Sequence, residues 1–116
     1  FGMGESQEDR IEMAFVLRSL GIQSIPINVL IPIKGTPLEN ISPLSEEEIY
    51  RTVAIYRFIF PTARLRLAGG RILLKKGNPY WSGVNAALVG NLLTTVGTSI
   101  EEEKAIISQA GLRIAP

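Results

Sequence analysis

Apolar and polar positions along this chain of 116 residues change period several times, and each change marks an element. From 24 to 31 the pattern alternates, with Ile25, Ile27, Val29 and Ile31 on one side and Pro26, Asn28 and Leu30 on the other. That two-residue period predicts a strand. Residues 63–68 predict a second strand. Residues 86–89 predict a third, without alternation, as expected of a strand covered on both faces. Three stretches between and beyond them open with one signature. Ser6 is followed three residues later by Asp9, Ser45 by Glu48 and Ser99 by Glu102. Such a hydroxyl accepts from the amide three residues on, and the acid reaches back to the cap amide. Glu46, Glu47, Glu101 and Glu103 add negative charge at the positive helix ends. Gly21 and Gly111 suit the left-handed position past a helix end, and Pro61 forbids continuation beyond Phe60. The predicted helices are therefore 7–20, 46–59 and 100–110.

Helix 46–59 is apolar over much of its circumference, through Ile49, Val53, Ala54, Tyr56 and Phe58. It is expected to be sandwiched between layers. In residues 72–82, Gly77-Asn78-Pro79 breaks any long helix, so a loop or one short helical turn is expected. The order is helix, strand, helix, strand, irregular crossover, strand, helix. Parallel strands need crossovers of this length, so the fold class is α/β with a parallel sheet.

Composition narrows the chemistry. The length supports one domain at most, and 46% apolar residues suffice for a core. A net charge of +1 gives no electrostatic footprint for nucleic acid. The least charged stretch, 78–100, holds Asn, Thr, Ser and Pro and is no membrane span. No secretory signal is visible, so a cytoplasmic setting is the default. There is no Cys and no His, which removes thiolate-bound metal, disulfides and the commonest general base. Phe1-Gly2-Met3-Gly4 resembles the tail of a strand entering a loop, and the chain is expected to be a piece of a longer one.

In parallel α/β folds functional groups collect at the C-terminal ends of the strands. There the sequence places Lys34-Gly35-Thr36-Pro37, then Gly69-Gly70-Arg71, then Gly90-Asn91-Leu92-Leu93-Thr94-Thr95. Three strand ends on one rim would set Asn28, Arg71, Thr94 and Thr95 around a common cavity. Each also has a plainer reading. Gly69-Gly70 can simply make a tight turn, Arg71 can be a solvated cation, and Thr94-Thr95 can be ordinary loop chemistry. An Asn within an apolar strand must be hydrogen-bonded or face a cavity. Arg64 and Arg66 share a strand face, and at least one should face a polar cavity or a carboxylate. No catalytic constellation assembles from these residues, and no P-loop is present.

Taken in order, the pieces resemble the C-terminal part of biotin synthase. Gly2-Met3-Gly4-Glu5-Ser6 with Asp9-Arg10 is similar to that family's glycine-rich loop after the fifth barrel strand. Residues 24–30 resemble its sixth strand, Lys34-Gly35-Thr36-Pro37-Leu38 the loop that follows, and 66–71 the seventh strand. Gly83-Val84-Asn85 through Leu93-Thr94-Thr95 resembles the eighth strand and its loop. The resemblance covers nearly the whole chain collinearly. It implies the last three or so strands of a TIM-type (β/α)8 barrel, with 1–97 in the barrel and 98–116 as a C-terminal helix closing it.

The resemblance also implies a function. The family consists of radical S-adenosylmethionine enzymes that insert sulfur into dethiobiotin to form biotin. A 4Fe-4S cluster cleaves S-adenosylmethionine, and a 2Fe-2S cluster held by three Cys and one Arg donates the sulfur. On that pattern Arg71 is the metal ligand, Asn28, Thr94 and Thr95 bind substrate, and Gly4 and Glu5 lie near S-adenosylmethionine. The implied partners are the upstream part of the same enzyme, a dethiobiotin-like small molecule and a second copy of the parent, with neither nucleic acid nor membrane. With no cluster Cys, the isolated chain is expected to hold no cofactor and to be inactive. Two features depart from the family: Ile72 stands where it usually has Glu, and the 72–82 crossover is shorter by about a helical turn. A paralogue acting on another substrate, or a small non-catalytic α/β binding module, also fits these residues.

Overall fold

A computed structural model describes residues 1–90 and 97–116. The elements run α1 (Gln7–Ser19), β1 (Ser24–Ile27), α2 (Glu46–Ile59), β2 (Arg64–Leu67), a 3₁₀ turn Arg71–Leu73, a second 3₁₀ turn Pro79–Ser82, β3 (Ala86–Ala87) and α3 (Ile100–Gln109). The strands form one parallel sheet in the order β1-β2-β3. Ile27 pairs with Leu67, and Leu67 with Ala87. The fold class is thus α/β with a three-stranded parallel sheet, and all three chain exits lie on one rim.

The helices begin where the serines place them. Ser6 and Ser99 close full capping boxes with Asp9 and Glu102. Ser45 accepts from the Glu48 amide, but Glu48 does not reach back. Its carboxylate turns instead to Arg10, a charged partner worth more than a neutral amide. Gly21 and Gly111 take positive φ beyond α1 and α3.

One face of the sheet is the core. Ile25, Ile27, Leu65 and Leu67 are buried with Ala14, Ile49, Val53 and Tyr56 of the helices. The other face carries Ser24, Pro26, Arg64, Arg66 and Ala86, which are exposed or half-buried. Helix α2 is not sandwiched. Its buried residues Ile49, Thr52, Val53, Tyr56 and Ile59 form one face, and Phe58 is 87% exposed. The third strand is short and half-buried, with Leu88 and Val89 exposed beyond it. Among the described residues it has β2 on one side only, so the covering that an unalternating strand implies is not supplied here. The crossover holds two short 3₁₀ turns rather than one. Phe1 lies alongside the extension of β1. Its amine donates to Asn28 O at 2.6 Å and its carbonyl accepts from Leu30 N at 2.8 Å, in the manner of a strand residue. None of the helices among the described residues is long and apolar enough to cross a membrane.

Gly70 marks the tightest passage of the rim. Its φ is +79°, and a Cβ there would meet Val29 O at 2.1 Å. Both the left-handed conformation and the approach of backbone to backbone exclude a side chain. Gly70→Ala should therefore destabilise the chain by more than about 1 kcal/mol, read as a lower urea midpoint at unchanged slope.

Candidate functional site

The C-terminal ends of the strands open onto a cavity of about 900 Å³, whose described lining includes Ile31, Ala68, Gly70, Arg71, Leu88 and Ile106. Its walls are largely apolar, and Arg71 brings a cation to them. That cation is not a solvated one. The Arg71 side chain is 10% exposed and forms an ion pair with Glu103 of α3, itself 5% exposed. Arg71 Nη1 and Glu103 Oε2 are in direct contact. The Tyr80 hydroxyl donates to the other carboxylate oxygen, Oε1. Burial, with the Glu103 carboxylate beside it, pushes the Tyr80 phenol well above its ordinary value.

Asn28 lies just past β1. Its Oδ1 accepts from Gly69 N at 2.9 Å, so the side chain knits the ends of β1 and β2 together. This is the hydrogen-bonded alternative for that residue. The Asn28 Nδ2 has no partner among the described residues, and fixing Oδ1 leaves it as a directed donor. Asn28 is not among the residues lining the 900 Å³ cavity, whereas Arg71 is. Thr94 and Thr95 lie outside the described residues. Arg64 is exposed and Arg66 half-buried on the uncovered sheet face, and neither pairs with a carboxylate among the described residues.

Gly4 and Glu5 belong to a self-contained loop. Gly4 has φ +102°. The Glu5 carboxylate accepts from Gly2 N at 2.6 Å and Met3 N at 2.7 Å, and pairs with Arg10 at 3.0 Å. Arg10, 1% exposed, also reaches Glu48 at 2.5 Å, and its carbonyl accepts from the Tyr56 hydroxyl at 2.8 Å. Burial pushes that phenol up to about 12. Burial would raise the Glu5 carboxyl too, but the Gly2 and Met3 amides and the Arg10 guanidinium outweigh it and hold Glu5 at about 2, against an ordinary 4.5.

Neither Glu103 nor Tyr80 stands out in the sequence as a site residue. Glu103 looks like one of three acids in a first helical turn, and its partner is thirty-two positions away. Among the described residues no group of three or more His, Cys, Asp or Glu is placed to hold a metal ion.

Two expectations follow. A folded pKa below the unfolded one gives stability that is present above about pH 4.5 and lost as pH falls toward 2. Urea midpoints measured across that range should fall with acid, and Glu5→Gln should flatten this dependence while lowering stability at neutral pH. Arg71→Ala leaves the Glu103 carboxylate buried without its cation, which should cost about 3 kcal/mol. Glu103→Ala should be comparably harmful, and the double substitution should cost clearly less than their sum in a double-mutant cycle.

Comparison with known proteins places this sequence in a family. The model for the Biotin and Thiamin Synthesis associated domain matches residues 26–113. The chain is 56% identical over 115 residues to a biotin synthase of Clostridium perfringens (strain 13 / Type A), covering 97% of this chain and 36% of that protein. It is 57% identical to one of Brachyspira hyodysenteriae, covering 97% and 34%, and 54% identical to one of Acetivibrio thermocellus, covering 97% and 36%. The chain spans about a third of the length of the curated relatives it matches. The resemblance to biotin synthase seen in its motifs thus extends over nearly all of its residues. With the family match running from the first strand to beyond the last helix, the chain belongs to the biotin and thiamin synthesis associated domain family.

Proposed function

We propose that this chain is the C-terminal segment of a biotin-synthase-like radical S-adenosylmethionine enzyme that inserts sulfur into dethiobiotin to form biotin. The observation that carries the proposal is the similarity to biotin synthases over 97% of the chain. In this reading the three parallel strands are the last of an α/β barrel. The uncovered face bearing Pro26, Arg64 and Arg66 turns inward, and the helices lie outside. The parent works in the cytoplasm as a homodimer.

When bound in the parent, a 4Fe-4S cluster supplies the electron that cleaves S-adenosylmethionine and a 2Fe-2S cluster supplies the sulfur. This chain has no thiolate to offer either. It does offer Arg71, a buried guanidinium paired with Glu103 in the wall of the cavity at the strand ends. Arg71 would hold the second cluster alongside cysteines from elsewhere in the enzyme. Asn28, its Oδ1 fixed by Gly69, would present Nδ2 to an acceptor on the substrate. Thr94 and Thr95 would bind the substrate's tail. The Gly4–Glu5 loop would border S-adenosylmethionine. Glu5 spends its carboxylate on the loop's own amides and Arg10, so its part there is to hold the loop's shape.

A paralogue with a different substrate is favoured by one observation. Ile72, where the family usually has Glu, is 60% exposed and lines the 900 Å³ cavity. Biotin formation by the reconstituted full-length enzyme decides between the two. Cleavage of S-adenosylmethionine without biotin would point to the paralogue. In that enzyme Arg71→Ala should alter the visible spectrum of the second cluster while cleavage persists. Asn28→Ala should raise KM for dethiobiotin about ten-fold, as for one lost hydrogen bond.

A further inference from the structure

The Arg71–Glu103 pair is more elaborate than a helix needs to dock. Helix α3 already packs Ile106, Ile107 and Ala110 against the core. Asn78 Nδ2 also donates to Ile106 O at 2.7 Å. A buried ion pair adds little to such docking, because a pair of apolar side chains serves as well. What the pair does fix is direction. Glu103 sits in the first turn of α3, which the Ser99–Glu102 capping box holds rigid. One of its oxygens takes the Tyr80 hydroxyl and the other faces Arg71. Tyr80 is itself tied down, because its amide donates to Asn78 Oδ1 at 3.1 Å. The carboxylate is therefore held by Tyr80 before Arg71 meets it. Arg71 starts from Gly70, whose backbone is pressed against Val29. Both ends of the guanidinium's reach are thus set, and it forms part of the cavity wall.

We propose that Glu103, locked by Tyr80, is a positioning residue that balances and orients the Arg71 guanidinium at the rim. The proposal rests on the reading of Arg71 as a ligand of the second cluster. Outer partners of this kind orient a ligand and tune the metal, and their loss typically costs 10–100-fold in metal affinity or activity. The charge on Glu103 also offsets that of Arg71 in a site with little access to water.

The test uses the full-length enzyme carrying both clusters. Glu103→Gln keeps the shape and removes the charge. Glu103→Asp keeps the charge, and Tyr80→Phe removes only the lock. Three readouts are taken: the spectrum of the second cluster, its retention through repeated desalting, and the melting temperature of the cluster-free protein. Glu103→Gln should shift the spectrum and shed the second cluster about ten-fold faster. Glu103→Asp should recover most of that loss, and S-adenosylmethionine cleavage should be retained throughout. Tyr80→Phe should give a smaller shift in the same direction, with melting lowered less than by Glu103→Gln. If Arg71→Ala changes spectrum and retention but Glu103→Gln changes neither, the proposal is overturned and the reading of Arg71 stands. If Arg71→Ala changes neither, that reading has failed, and the positioning role falls with it. Should Glu103→Gln melt early, the milder Tyr80→Phe decides: an unshifted spectrum overturns the proposal, and a shifted one in a protein still folded at the assay temperature supports it.

Discussion

Because Ile27 pairs with Leu67 and Leu67 with Ala87 in parallel register, the chain leaves every strand at the same end of the sheet. The other features of the rim follow from that constraint. Parallel strands cannot be joined by tight hairpins, so each exit must travel over the rim before the chain returns. Backbone that travels there needs partners for its amides. The Gly69 amide finds Asn28, the Val29 amide finds Gly69 O, and the Leu30 amide finds Phe1 O. The rim is thus stitched across strands by residues just past their ends. Gly70 is a glycine because this stitching brings its backbone against Val29.

The sheet is finished on one side only. Parallel sheets normally bury both faces, and here one face packs on the helices while the other shows Ser24, Pro26, Arg64, Arg66 and Ala86. Arg66 keeps a buried Nε without a partner among the described residues. Two cations on adjacent rungs of one face are poor material for a dry core and good material for a wet or ligand-filled interior. This asymmetry is the physical content of the barrel proposal.

Much of the fold was legible from local signals because those signals act locally. A serine three residues before an acid caps a helix wherever it sits, and all three starts fall where Ser6, Ser45 and Ser99 put them. A two-residue alternation marks a strand, although β1 ends at Ile27 rather than 31. The misses are long-range. The Ser45–Glu48 box stays open because Arg10, thirty-eight positions away, claims Glu48. Helix α2 seemed sandwiched because periodicity counts apolar residues without showing which neighbours exist, and Phe58 is 87% exposed among the described residues. At the site, Asn28 and Arg71 stood out as polar residues where a strand should be apolar or ending. Glu103 and Tyr80 did not, since an acid in a first helical turn has an ordinary explanation of its own.

Two buried arginines make the remaining point by contrast. Arg10 is satisfied twice, by Glu5 and Glu48, and its backbone carbonyl takes the Tyr56 hydroxyl. It joins the first loop, α1 and α2 into one unit, with the Phe1 ring 6.0 Å from its guanidinium carbon. Such an arginine has a structural occupation and little left to offer a ligand. Arg71 is nearly as buried, but it has one carboxylate and a cavity in front of it. Burial is costly for any guanidinium unless carboxylates offset its charge, and Arg10 has two of them where Arg71 has one. Arg71 stands at the open rim with a single carboxylate partner, whereas Arg10 is enclosed between two, and the proposal for Arg71 builds on that difference of position.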